Sequence, residues 1–213
     1  MNVYAEYHLE GDHEFRKITL LQFGESWDLI GSAVLKNPGS AKPEGMVSYE
    51  EFNQIKSFLS PYQIHQKDWQ RFRPDTTMRF LEKIFSGAYL GSEKKLDGVI
   101  QLFNLTYLKE PKLDIAHLKA NEIDSQFLFP KVDELVLQFK NKPVYLGWFD
   151  TWKKVQGAEP IAKGIFEVLK NKSGNYLSPI FEENRFYHPI YINRSLKKPL
   201  VYYSLQEFQK LIG

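Results

Sequence analysis

Three short apolar runs constrain this chain more than any other feature. They are Leu29-Ile30-Gly31-Ser32-Ala33-Val34-Leu35, Gly98-Val99-Ile100-Gln101-Leu102-Phe103-Asn104-Leu105 and Pro143-Val144-Tyr145-Leu146-Gly147-Trp148. Each is short, bounded by turn residues and nearly continuous in its hydrophobicity, the pattern of a strand buried on both faces. Between them lie segments with helical spacing. Ser48-Tyr49-Glu50-Glu51 is a capping box, followed by Phe52, Ile55, Phe58 and Leu59 and stopped by Pro61. Asp75-Thr76-Thr77 opens a second helix, with Met78, Leu81, Ile84 and Phe85 inward and Gly87 as its stop. Pro130 to Lys140 and Pro160 to Lys170 fit two more. Strands alternating with amphipathic helices predict an α/β fold, with a mostly parallel sheet and helices on both sides.

The remaining segments extend this frame. Residues 3–23 predict an antiparallel hairpin around Gly11-Asp12, so residues 1–26 are expected to add antiparallel strands at one edge. Tyr176 to Phe181 predicts a fourth strand leading into His188-Pro189-Ile190-Tyr191. Leu200 to Tyr203 is short and apolar, and a second capping box, Ser204-Leu205-Gln206-Glu207, predicts a C-terminal helix over 204–212. No repeat, low-complexity segment or linker interrupts the chain. At roughly 100–200 residues per domain, 213 residues predict a single domain over 1–213.

Composition excludes chemistries rather than naming one. The chain has no cysteine, which removes disulfides, thiol nucleophiles, iron–sulfur clusters and Cys-based zinc sites. A formal net charge of +2 makes no case for bulk attraction to nucleic acid or membrane. The first residues lack a basic n-region and an apolar h-region, so a cytoplasmic location is expected, with no membrane partner. His-Glu-x-x-His, GxGxxG, Walker and GxSxG motifs are missing, which counts against metalloprotease, Rossmann, P-loop and α/β-hydrolase chemistry. His8 and His13 flank the hairpin turn beside Asp12, and a solvated turn explains them better than a metal site does. No metal and no cofactor are expected.

In open α/β sheets, ligands bind at the carboxyl ends of strands. That rule selects Lys36-Asn37-Pro38-Gly39-Ser40, Asn104, Trp148-Phe149-Asp150 and the stretch through His188-Pro189. Asn37-Pro38-Gly39-Ser40 joins a fixed-φ residue to a permissive one; it is an ordinary turn, or a loop that aims an amide and exposes backbone N–H groups to a phosphate or a water. Asn104 breaks an apolar run. Its buried amide either ties down a loop or reads a planar polar ligand such as a nucleobase edge. His188 is a structural residue or a ligand-facing imidazole held by the extended backbone that Pro189 imposes. Arg71, Arg73 and Arg79 surround one helix start, and Arg194, Lys197 and Lys198 follow His188; they are solvated charges or phosphate contacts.

Four stretches, taken in order over residues 27–192, resemble a bacterial and phage family of unknown function marked by an LNPSTA-type motif. Val34 to Ala41 looks like that motif, with Gly39 in place of the family's Ser. Pro74-Asp75-Thr76-Thr77-Met78-Arg79 is similar to its DPTxRR segment, Ile100 to Tyr107 to its hydrophobic-Asn-Leu strand end, and Tyr187-His188-Pro189-Ile190-Tyr191 to its HPLY ending. More distantly, Asn37-Pro38-Gly39, Asn104, Gly147-Trp148 and His188-Pro189 resemble the four site segments of the uracil-DNA glycosylase superfamily. The departures are Ile190 in place of that loop's Ser, a reversed order of Gly and Trp, and no clear wedge after His188.

This resemblance implies an α/β/α sandwich around a four-stranded, mainly parallel sheet. It implies that Asn37 positions a water, that Asn104 reads a base edge and that His188 hydrogen-bonds the leaving base. Pro38, Gly39, Ser40, Trp148 and Arg79 are the further expected substrate contacts, with Trp148 or Phe23 as the stacking aromatic. Two functions follow as expectations. One is hydrolysis of an N-glycosidic bond to a nucleobase, in DNA or in a nucleotide. The other is a non-catalytic base-binding, nucleotide-binding or protein-interaction module on the same scaffold.

Overall fold

A computed structural model describes residues 1–173 and 176–213. Its centre is a seven-stranded mixed sheet in the order β4-β5-β1-β2-β6-β3-β7. The strands are β1 (Asn2–Glu10), β2 (His13–Phe23), β3 (Leu29–Leu35), β4 (Pro43–Met46), β5 (Trp69–Phe72), β6 (Gly98–Asn104) and β7 (Val144–Leu146). The α-helices are α1 (Tyr49–Leu59), α2 (Thr76–Ser86), α3 (Leu113–Glu122), α4 (Val132–Gln138), α5 (Thr151–Lys154), α6 (Ala158–Leu169), α7 (Pro189–Ser195) and α8 (Pro199–Ile212).

The three apolar runs form the parallel part of the sheet: β3 pairs with both β6 and β7 in parallel. The other four pairings are antiparallel, which corrects the expected four-stranded, mainly parallel sheet. The N-terminal hairpin is not an edge extension either. β2 pairs with β6, and β1 pairs with β5, so the hairpin joins the two halves of the sheet. The reason lies in Leu20 and Leu21. Successive strand residues face opposite sides, and both of these are fully buried, so β2 is covered on both faces as an interior strand is.

The sheet packs differently on its two faces. Gly31, Ala33 and Leu35 share one face with Tyr145, Leu102 and Asn104 through the parallel register. Here the Phe85 ring of α2 lies where a Gly31 side chain would stand, and Phe208 of α8 meets both Phe85 and Tyr145 edge-on. On the other face, Phe103 meets Phe139, just past α4, edge-on at 6.0 Å between ring centroids.

Two further expectations change. Tyr176 to Phe181 forms no strand. Its place beside β7 is taken by the buried Tyr176 side chain, whose Oη accepts from the Leu146 N–H (3.1 Å) and donates to the Leu146 carbonyl (3.3 Å). The C-terminal helix begins at Pro199 rather than Ser204. Pro199 at the first helical position is pre-set for the helix, and Val201, Leu205 and Phe208 form its buried stripe, so Ser204 is an interior residue. No helix among the described residues is long and apolar enough to cross a membrane.

Candidate functional site

A cavity of about 360 Å³ opens at the carboxyl ends of β3 and β6, on the face carrying Leu35 and Asn104. The parallel ladder continues past both strands, with Leu105 N–H donating to the Leu35 carbonyl and Thr106 N–H to that of Lys36. This holds the two strand ends together as a floor. Leu35 and Leu102 supply its apolar part, and Asn37, Gly39, Asn104 and His188 all line the space. Four of the expected site residues, from three distant segments, therefore meet in one place.

Two of them, Asn37 and His188, are held by identifiable side-chain bonds. The Asn37 amide donates to the carbonyls of Glu110 (2.8 Å) and Pro38 (3.0 Å), so its hydrogens are spent and Oδ1 is left as an acceptor. Asn104 is 1% exposed, and its Nδ2 has no partner among the described residues. His188 is the N-cap of α7, and its Nδ1 accepts the Ile190 N–H (3.3 Å). In a neutral imidazole that assigns the proton to Nε2. Burial, helped by the positive charge of Lys36, pushes the ring down to about 3, so it is a neutral donor at physiological pH. The loop that carries it is anchored from β7: Tyr145 Oη donates to the Tyr187 carbonyl, and Phe149 N–H donates to that of Phe186 (2.9 Å). Gly147 permits this approach, because a Cβ there would lie 2.7 Å from Leu35 and 3.2 Å from the Tyr187 carbonyl.

Other expected contacts lie elsewhere. Trp148 is fully buried, with its ring 4.8 Å from that of Phe186, and does not reach the cavity. The chain turns at Phe149, whose φ of 52° is rare for a bulky residue, and this turn presents Phe149 to the cavity instead. Tyr191 stands edge-on to it at 5.0 Å, and the Lys36 ammonium lies 5.3 Å from its ring centre. Phe23 pairs with Gly98, at the opposite end of β6 from Asn104. Pro38 is buried behind the loop, Ser40 is exposed outside the cavity, and Arg79 projects from α2 into solvent.

Three charged groups were not singled out as cavity residues from the sequence. Asp75 caps α2 through Oδ1, which accepts the Met78 N–H at 3.0 Å, and it also lines the cavity. Its Oδ2 lies 3.0 Å from where a Gly39 Cβ would be, so the Gly in the motif leaves room for a carboxylate. Glu110 is turned to Lys119 (2.9 Å), whose ammonium holds its carboxyl below the usual range. Arg16, from β2, is 1% exposed. Its Nε and Nη1 have no partner among the described residues, and its guanidinium lies 5.5 Å from the Phe72 ring centre. Burial pushes it down to about 10, against the field of Asp75, and it stays charged at neutral pH. The signal for Arg16 was a cation inside the extended run Phe15 to Phe23, which Lys17 beside it obscures; the signal for Asp75 was masked by its evident role as a cap.

The cavity thus combines a neutral imidazole N–H, a free amide N–H₂, a fixed amide oxygen, the carboxylates of Asp75 and Glu110, the latter paired with Lys119, an aromatic wall and the cations Arg16, Lys36 and Arg194. Among the described residues no group of three or more His, Asp or Glu side chains could hold a metal ion. Such a set can orient a planar polar ligand, hold a water against it and receive negative charge. No family model matches this chain, and no curated protein or solved structure does either.

Proposed function

We propose that the cavity binds a nucleobase and that the protein hydrolyses its N-glycosidic bond, on a uracil-DNA glycosylase-like scaffold. The observation that carries this is the meeting of Asn37, Asn104 and His188 in one cavity, with the ring of Phe149 beside them. Asn104 Nδ2 recognises an acceptor on the base edge, and Phe149 takes the stacking role first expected of Trp148. Cleavage sends the C1′–N electron pair onto the base and leaves an oxocarbenium-like sugar. The His188 Nε2–H donates to the base as that negative charge develops, a contribution of roughly 10²–10³ in rate for such donors. Asn37 Oδ1 orients the attacking water. An amide cannot take its proton, and Asp75, beside the same loop, is the general base. The water oxygen joins C1′, and the proton passes to Asp75 and then to the departing base.

One observation favours a binding module instead: both amide hydrogens of Asn37 are spent on backbone carbonyls, as in a loop tie. The test separates the two. Wild-type protein and the Asn37→Ala, Asp75→Asn and His188→Ala variants are incubated with free nucleosides, nucleotides and oligonucleotides carrying modified bases. Released base and abasic sites are scored. Release by the wild type, with a loss of at least about 100-fold in Asp75→Asn and His188→Ala, supports hydrolysis. No release from any substrate overturns it.

A further inference from the structure

Arg16 has no place in the chemistry just described. It sits on an interior strand, 1% exposed, with Nε and Nη1 unpartnered among the described residues, and it lines the cavity. A guanidinium is an obligate cation with a planar fork of donors, and burying it without an anion costs folding stability. Asp75 is the carboxylate whose field reaches it, but Oδ1 of Asp75 is engaged in capping α2. Lys36 and Arg194 add positive charge around the same cavity. Glu110 is matched by Lys119 and does not offset them. The cavity holds more cationic than anionic charge around a fork of unsatisfied donors, the arrangement that phosphate recognition requires.

The depth of Arg16 narrows the ligand. A phosphate that reaches it must leave water almost completely. A phosphodiester within a strand stays tied on both sides to neighbouring nucleotides, which hold it at the mouth. A terminal phosphate has no such tether. A volume of about 360 Å³ lies at the small end of the usual range for small-molecule sites, roughly 300–1,000 Å³.

We infer that Arg16, with Lys36 and Arg194, forms a phosphate subsite, and that the ligand is a free nucleoside monophosphate rather than a nucleotide inside DNA. The identification of the rest of the ligand rests on the proposed nucleobase site; the phosphate subsite does not. Arg16 holds the terminal phosphate, and the base lies between Phe149 and the Asn104–His188 side.

The test is equilibrium binding by calorimetry at matched ionic strength, with inorganic phosphate alone, nucleoside 5′-monophosphates, the matching nucleosides and an oligonucleotide lacking terminal phosphates. The expected result is that phosphate binds, that monophosphates bind about 10- to 100-fold more tightly than nucleosides, and that Arg16→Gln and Arg194→Gln remove most of that difference. Arg79→Gln, outside the cavity, retains it. Circular dichroism checks the fold of each variant. If Arg16→Gln does not fold, Arg194→Gln and a rise in the wild-type melting temperature with phosphate, absent with chloride at equal ionic strength, decide the matter. Absence of phosphate binding and of that rise overturns the subsite, even where nucleosides are bound or cleaved. Phosphate binding without any preference for monophosphates overturns the nucleotide assignment and counts against the nucleobase site, leaving an anion site alone. Tighter binding of the oligonucleotide than of the monophosphate overturns the free-nucleotide assignment.

Discussion

His188 ties its own protonation to the stability of the chain. Its folded value of about 3 lies below the ordinary 6.5, because burial and Lys36 both disfavour the imidazolium. Between those two values the unfolded chain takes up a proton that the folded chain refuses, so stability rises with pH across that window. The contribution is fully present above about 6.5 and is lost as the pH falls toward 3. Urea unfolding at intervals from pH 4 to 6 is expected to show a slope in the wild type that exceeds that of His188→Gln by up to about 1.4 kcal/mol per pH unit. Equal slopes would show that the ring titrates as it does in water. For the chemistry, the consequence is a donor that stays neutral through the physiological range, so the pH profile of any turnover should carry no step near 6.5 from this residue. At this scale the sequence was informative where a polar residue interrupts an apolar run, as at Asn104, or follows a strand end, as at Asn37. It was misleading at Trp148, because whether 148 or 149 faces the cavity depends on one left-handed φ that no side-chain pattern announces.

Among the elements, the two capping boxes behave differently although they read alike. At Ser48 both reciprocal bonds form: Ser48 Oγ accepts the Glu51 N–H (3.2 Å), and Glu51 Oε2 accepts the Ser48 N–H (2.8 Å). Glu51 also pairs with Arg71 of β5 at 2.7 Å, which holds its carboxyl below the usual range and ties α1 to the sheet. Ser204, by contrast, stands inside α8 with no helix start to satisfy. Ser48→Ala is expected to cost about 1 kcal/mol, and Ser204→Ala no more than about 0.5 kcal/mol, both read from urea midpoints at constant slope. Similar losses at the two sites would contradict the helix boundaries. The boundary at Pro199 rests on the proline itself and on the 201, 205, 208 stripe; the Ser-x-x-Glu signal misplaces it because it is local, whereas the stripe needs the sheet to give it meaning. The short strands β4 and β5 and the helix α7 were not legible: each is too brief for a periodic signal, and the pairing partners of the two strands lie far along the chain.

For the molecule as a whole, the position of the N-terminal hairpin matters most. β1 and β2 connect the antiparallel half of the sheet to the parallel half, and β2 brings Arg16 to the cavity. Removal of residues 1–26 would therefore strip β6 of one neighbour and β5 of another, exposing Leu102, Ile100, Trp69 and Phe72, all buried in the intact fold. The truncated chain is expected to be insoluble or to lose its cooperative thermal transition, as followed by circular dichroism. A truncated chain with a cooperative transition and native-like resistance to proteolysis would return the hairpin to the status of an appendage. The α/β class was readable from the three apolar runs, but the sheet order was not, since antiparallel pairing of β2 with β6 is a contact between distant segments that only the double burial of Leu20 and Leu21 hints at. The cavity also draws on both halves of the chain, from Arg16 to Arg194. During synthesis from the N-terminus, Arg16 is made early and the segment bearing His188 comes late. A nascent chain therefore holds the strand ends without their cover, and the cavity is complete only once the segment bearing His188 and Arg194 has been made.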